Sequence, residues 1–197
     1  MITDRPPRAK RRREEFERSD RLTTLPLPGD DRLVGLARDI ERSLKEEDRG
    51  AAQAACRAFA MEASAFYRIP PPRVNVLAAR PLSHRKYGRE ELYGDYDLED
   101  GLIRVFMRTA VHKRITAFGT LLSTLCHEIC HHMDLHYLVM RETPHTRGFY
   151  ERTAALYHAG RGTPRKPLHW IRRSDGTWQV DWARLRRQPA RRPGAPA

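Results

Sequence analysis

No stretch of this 197-residue chain offers the roughly 18 consecutive apolar residues that a membrane-spanning helix requires. The N-terminus also lacks an apolar core. Its first residues mix proline with arginine and lysine, so no secretory signal sequence is expected. Cysteine is scarce and odd in number, at positions 56, 126 and 130, so no disulfide framework is expected. A cytoplasmic, monomeric protein follows as the expectation. Cys126 and Cys130 lie one helical turn apart and read as core packing; the alternative is a redox-sensitive thiol beside a metal. Apolar residues make up 40% of the chain, enough for one core that buries about 70% of the unfolded surface.

Acidic residues are in deficit, 25 against 37 basic ones, for a net charge of +12. The imbalance is local. Residues 161–197 hold ten Lys/Arg against Asp175 and Asp181, which places +8 of the +12 in that segment. Near the other end, Arg11-Arg12-Arg13 is followed by Glu14, Glu15 and Glu17, so its field is cancelled locally. Residues 1–30 contain few large apolar side chains and read as a disordered, solvated tail.

Against that background stands His127-Glu128-Ile129-Cys130-His131. At about 3.6 residues per turn, residues four apart meet on one helix face. Two neutral imidazoles there can grip a Zn²⁺ ion, and Glu128 is placed to act as general base without ligating the metal. The surroundings favour a helix. From Lys113 to about Leu138 there is no proline, and Ile115, Phe118, Leu122, Leu125, Ile129 and Met133 recur at three- and four-residue steps. Thr120, Thr124 and Asp134 share the stripe of the two histidines.

A catalytic zinc site needs a third protein ligand and leaves the fourth position to water. His145 is one candidate. It follows a break at Glu142-Thr143-Pro144 and precedes the amphipathic run Phe149–His158, so it falls on the turn into a second helix. Glu151 is the other, giving a two-His, one-Glu site. His132 and His136 lie off the stripe and read as surface or supporting groups. Tyr150, Arg147 and His136 are the candidate donors to a transition-state oxyanion.

These residues carry a resemblance. His127 to Asp134, the fourteen-residue step from His131 to His145, and His145-Thr-Arg-Gly-Phe-Tyr150 resemble the SprT-like (Spartan-type) zinc metallopeptidase family, in which a third His lies about this far on with an aromatic residue four places later. The match extends upstream. Glu91-Leu-Tyr-Gly-Asp-Tyr96, the turn Asp97–Gly101 and Leu102–Met107 read as a β-hairpin where such enzymes have strands before the active-site helix. The likeness covers residues 31–160 and is most specific over 91–150. Thr146 stands where many members have glycine, and no cysteine follows Cys130, whereas several members carry a C-terminal cysteine-rich zinc ribbon. The resemblance implies a zincin fold, a His127/His131/His145 zinc site and peptide hydrolysis, with DNA-associated proteins as candidate substrates.

The remaining elements follow from periodicity and punctuation. Helices are predicted over 33–44 and 51–67, a strand over 73–78, a basic loop over 83–89, then the hairpin and the two site helices. The fold class is α+β, a zincin-like domain over 31–165 with a small hairpin sheet packed on the active-site helix. Residues 166–187 read as a second hairpin around Ser174-Asp175-Gly176, and 188–197 as a disordered Arg/Pro tail. Trp170, Trp178 and Trp182 either cover the core or stack on unpaired bases, with Arg172, Arg173, Arg184, Arg186 and Arg187 on phosphates. Substrate backbone is expected to add to an edge of the hairpin sheet. Two other functions use the same residues: a nucleic-acid-binding protein with a structural zinc, and a zinc hydrolase of a non-peptide substrate.

Overall fold

The computed structural model describes residues 1–29, 31–85 and 88–187. Helix α1 spans Lys10–Arg21, α2 Arg32–Lys45 and α3 Arg49–Phe66. In α2 the residues Leu33, Ala37, Ile40 and Leu44 recur at helical spacing and are all buried, which seats that face on the core. Asp48 caps α3 by accepting from the Ala51 N–H at 2.9 Å, and α3 ends ahead of Pro70-Pro71-Pro72, where the chain cannot stay helical.

Strands β1 (Arg73–Ala79), β2 (Leu82–Arg85), β3 (Gly88–Glu91), β4 (Gly94–Asp97) and β5 (Leu102–Arg108) follow. The main sheet has the order β1-β5-β4, with β1 parallel and β4 antiparallel to β5. Val74, Val76, Ile103 and Val105 alternate onto its buried face. The β4–β5 turn closes because Gly101 adopts φ +65° and donates its N–H to Asp97 O at 2.9 Å, while Asp97 and Asp100 accept from Glu99 N and Leu102 N. These short Asx contacts make the turn local and self-sufficient. The loop predicted over 83–89 gives way, in its described residues, to two strands: β2 and β3 pair antiparallel from Leu82↔Glu91 to Arg85↔Gly88.

Helix α4 spans Phe118–His136 and α5 Arg147–Arg161. Leu121, Leu122, Leu125, Cys126, Ile129, Cys130 and Met133 form the inner face of α4, and all three cysteines are buried free thiols, as core packing requires. The helix starts five residues later than its periodicity suggests. Ile115 bridges to Arg108, and Thr116 donates its N–H to Met107 O at 2.7 Å, so these β-branched residues extend the sheet instead. Thr146 caps α5 by accepting from Phe149 N at 3.1 Å, and Gly162, at φ +61°, ends it. Two strands, β6 (Trp170–Arg172) and β7 (Trp178–Val180), form the C-terminal hairpin, and α6 covers Trp182–Arg187, so Trp182 opens a helix rather than closing a strand. Residues 188–197 lie outside the described residues. Among those described, no helix is long and apolar enough to cross a membrane.

The expectation for residues 1–30 is corrected. Met1 to Asp4 run alongside β7: Ile2 bridges Gln179, Thr3 N donates to Trp178 O at 2.8 Å, and Val180 N donates to Met1 O at 3.2 Å. Helix α1 is docked, with Phe16 and Ser19 buried. It evades hydrophobic patterning because polar contacts hold it. The Ser19 and Thr146 hydroxyls meet at 2.9 Å, and the Arg152 guanidinium donates to the Ser19 and Leu22 carbonyls. Those carbonyls approach the backbone so closely at Gly148 that a Cβ there would collide with them.

Candidate metal centre

Helix α4 presents His127 and His131 one turn apart, and the turn into α5 brings His145 against them. The Nε2 atoms of the three rings stand 3.0 Å (127–145), 3.2 Å (127–131) and 3.1 Å (131–145) apart. The His127 and His145 rings stack at an interplanar angle of 20°, while His131 meets both nearly edge-on. The outer nitrogens of two rings face oxygen: His131 Nδ1 lies 3.0 Å from Thr143 Oγ1, and His145 Nδ1 lies 3.5 Å from Asp4 Oδ2. An N–H at those Nδ1 positions leaves each Nε2 with an unshared pair aimed inward.

Electrostatics keeps His127 and His131 neutral. Burial first, then the neighbouring imidazoles, lowers His127 to about 3 and His131 to about 2. Converging lone pairs without protons between them repel, so the donor set fits a cation at its centre. A tetrahedral ion with Zn–N of about 2.0–2.1 Å sets its nitrogens roughly 3.3–3.4 Å apart, close to the observed triangle. The three histidines are therefore near enough to hold one metal ion.

Glu128 faces the same cleft, which has a volume of about 440 Å³ and is also walled by Gly94, Asp95, Tyr96, Thr143 and Asp4. The residue is only 5% exposed. Burial, with a smaller contribution from Asp95, raises its pKa to about 8. Strand β4 crosses directly over it: a Cβ on Gly94 would stand 3.2 Å from Glu128 Oε1 and 2.5 Å from Thr124 Cγ2, so only glycine lets the strand come this near.

The other predicted site residues are placed elsewhere. Glu151 does not join the three histidines; its carboxylate accepts from Arg165 Nη2 at 2.6 Å and Leu168 N at 3.1 Å, tying the approach to the C-terminal hairpin onto α5. Arg147 is clamped by the Asp20 carboxylate and lies over the Trp178 ring, which commits its charge. Tyr150 stacks on His145, with centroids 5.8 Å apart, but its hydroxyl donates to Ile2 O at 3.0 Å. His136 contacts Tyr96 Oη at 3.5 Å. Arg172, Arg173, Arg184 and Arg187 are exposed.

Two residues at the cleft were not anticipated. Asp4 is one, and no local pattern announces it. Tyr96 is the other, two residues beyond Gly94 and so on the same side of β4. Because His132 Nε2 sits 2.7 Å from Pro70 O, that nitrogen must donate; Nδ1 then accepts the Tyr96 hydroxyl at 2.9 Å. This chain locks Tyr96 beside the cleft with its proton committed.

A second cavity of about 440 Å³ runs along α4 on the N-terminal side of Glu128, bounded by Tyr93, Thr124, Tyr150, Tyr157, Leu168 and Trp182. Compared with protein-family models, curated proteins and solved structures, the chain matches none.

Proposed function

We propose that this chain is a zinc-dependent endopeptidase of the SprT-like kind, with Glu128 as its general base. One observation supports it above the rest: three Nε2 atoms converge within 3.0–3.2 Å of one another, and the residue after the first ligand is a buried carboxyl in the same cleft. Neutral imidazoles suit zinc, and three protein ligands leave a position open for chemistry. The bound ion supplies Lewis acidity, acidifying water and polarising a carbonyl.

The protein groups do the rest. Glu128 takes the proton of the attacking water and returns it to the departing amine. Burial and Asp95 raise its proton affinity towards the working pH, where a base that must also act as an acid is most effective. Strand β4 is an outer strand of its sheet, and its free side offers main-chain groups to an extended substrate beside Glu128. The adjoining cavity, walled by tyrosines, Leu168 and Trp182, takes a large apolar side chain of that substrate. The basic C-terminal segment draws the enzyme to polyanions and to the proteins bound on them.

A purely structural zinc would be closed by four ligands, whereas three meet here among the described residues. A non-peptide acyl substrate would use the same machinery, but would make no use of the β4 edge. The deciding experiment incubates zinc-loaded protein with an unfolded protein substrate. Wild type should cleave it, and Glu128→Gln, with equal zinc content, should not. No cleavage by fully zinc-loaded wild type would overturn the peptidase reading.

A further inference from the structure

His127 and His131 are held by the backbone of α4, but His145 is not in a helix. It lies between Thr143, whose φ is +37°, and the cap residue Thr146. Its own backbone is fixed from far away in sequence. His145 N donates to Asp4 Oδ2 at 2.8 Å, and Asp4 N donates to His145 O at 2.8 Å. The same Oδ2 lies 3.5 Å from His145 Nδ1. One residue thus satisfies both main-chain groups of the third ligand and faces its outer ring nitrogen.

Asp4 is itself held by the C-terminal hairpin. Thr3 N donates to Trp178 O at 2.8 Å, Trp178 N donates to Thr3 Oγ1 at 2.9 Å, and Val180 N donates to Met1 O at 3.2 Å. Tyr150, stacked on His145, donates its hydroxyl to Ile2 O. The contacts form one line from β7 through Met1–Asp4 to His145.

We infer that residues 1–4 brace the metal centre: Asp4 is a positioning residue for the ligand His145, and β7 is what positions Asp4. The inference rests on the metal-site reading. A ligand on a turn must be ordered when the ion binds, and that ordering costs conformational entropy unless the turn is already pinned. A carboxylate facing the outer nitrogen also fixes the tautomer that leaves Nε2 free and makes it a better donor. Loss of such a partner typically costs 10–100-fold in metal affinity. The hairpin is then part of the metal centre's support although none of its residues touches the three histidines.

The test is a Co²⁺ titration of metal-free, full-length protein, read by visible absorption in competition with a chelator, with melting of the metal-free protein measured alongside. Asp4→Ala should weaken Co²⁺ binding about 10–100-fold. Asp4→Asn, which keeps an acceptor for His145 N but loses the charge, should fall between Ala and wild type. Thr3→Pro, which removes the N–H given to Trp178, should weaken binding although it touches no ligand, and Arg5→Ala, at an exposed surface pair, should not. Unchanged affinity in Asp4→Ala and Thr3→Pro would overturn the brace. So would losses that merely follow a falling melting temperature across the set. If wild type itself bound no Co²⁺, the metal centre and its brace would both fall.

Discussion

The Arg152 guanidinium grips both oxygens of Asp134 at 2.8 and 2.7 Å, with both side chains fully buried. Asp134 follows His131 by three residues on α4, and Arg152 lies in the second turn of α5, just beyond His145. The pair therefore fixes the two elements that bring the three histidines together relative to each other. The same guanidinium reaches the carbonyls at the end of α1, so three segments meet at one cation. Asp134 shares the helix stripe of the histidines, but the structure spends its carboxylate on Arg152.

Removing one member of a buried pair leaves the other charge uncompensated, at a cost of about 3–5 kcal/mol. Asp134→Ala should lose stability on that scale in urea denaturation. Asp134→Asn, which still accepts from Arg152, should lose less. A change below about 1 kcal/mol for the alanine variant would mean that water enters and solvates Arg152.

The ligand set makes a sharp distinction. Single His127→Ala, His131→Ala or His145→Ala variants should each fail to retain one equivalent of metal through gel filtration. Glu151→Ala should retain it, because its carboxylate serves Arg165 and Leu168 N. Metal loss in Glu151→Ala with retention in His145→Ala would move the third ligand to Glu151.

Glu128→Gln preserves shape and cannot take a proton. Peptidase turnover should fall by roughly 10²–10⁴-fold, with metal content unchanged. Equal turnover in the two proteins would assign the base elsewhere in the cleft.

What the sequence revealed was what repeats locally. The 3.6-residue period marked α4, apart from its late start at Phe118, and the alternation around Asp97–Gly101 marked the β4–β5 hairpin. His145 was legible from the break before it. Helix α1 was not, because Phe16 is its one buried apolar side chain and its anchorage is polar: Ser19 on Thr146, Asp20 on Arg147, carbonyls on Arg152. Asp4 was hidden for a stronger reason. Its partner is 141 residues away, and one acidic residue among prolines and arginines has no local signature. Ile115 misled in the opposite sense, since its spacing fits α4 while its backbone pairs with Arg108.

The second cavity along α4 leads to a specificity prediction for the proposed peptidase. Ala154 lines it from α5, so Ala154→Phe should fill space meant for a large substrate side chain. Cleavage sites mapped by mass spectrometry should then shift from large apolar residues towards small ones, while Co²⁺ affinity stays the same. An unchanged site preference would show that substrate side chains do not enter this cavity.

Whether the basic C-terminal segment draws the protein to nucleic acid is open to experiment, and the fold constrains the choice of variant. Residues 161–197 carry ten Lys/Arg and two Asp, or +8, leaving +4 of the chain's +12 for the rest. Ending the chain at Gly160 would remove that charge, but it would also remove β7 and with it the partner of Met1–Asp4, confounding electrostatics with damage to the metal centre. Neutralising Arg184, Arg186, Arg187, Arg191 and Arg192 together leaves β6 and β7 intact and takes away five of the eight net charges. If these arginines contact phosphates, native protein should bind DNA with an affinity that falls steeply with salt, by roughly 0.7–0.9 in log–log slope per phosphate neutralised. The variant should bind more weakly with a shallower slope, at unchanged Co²⁺ affinity. Trp182, exposed at the start of α6, separates stacking from charge: Trp182→Ala should selectively reduce single-strand binding if bases stack there. Equal affinity of native and neutralised chains at one ionic strength would mean that this charge only solvates the surface.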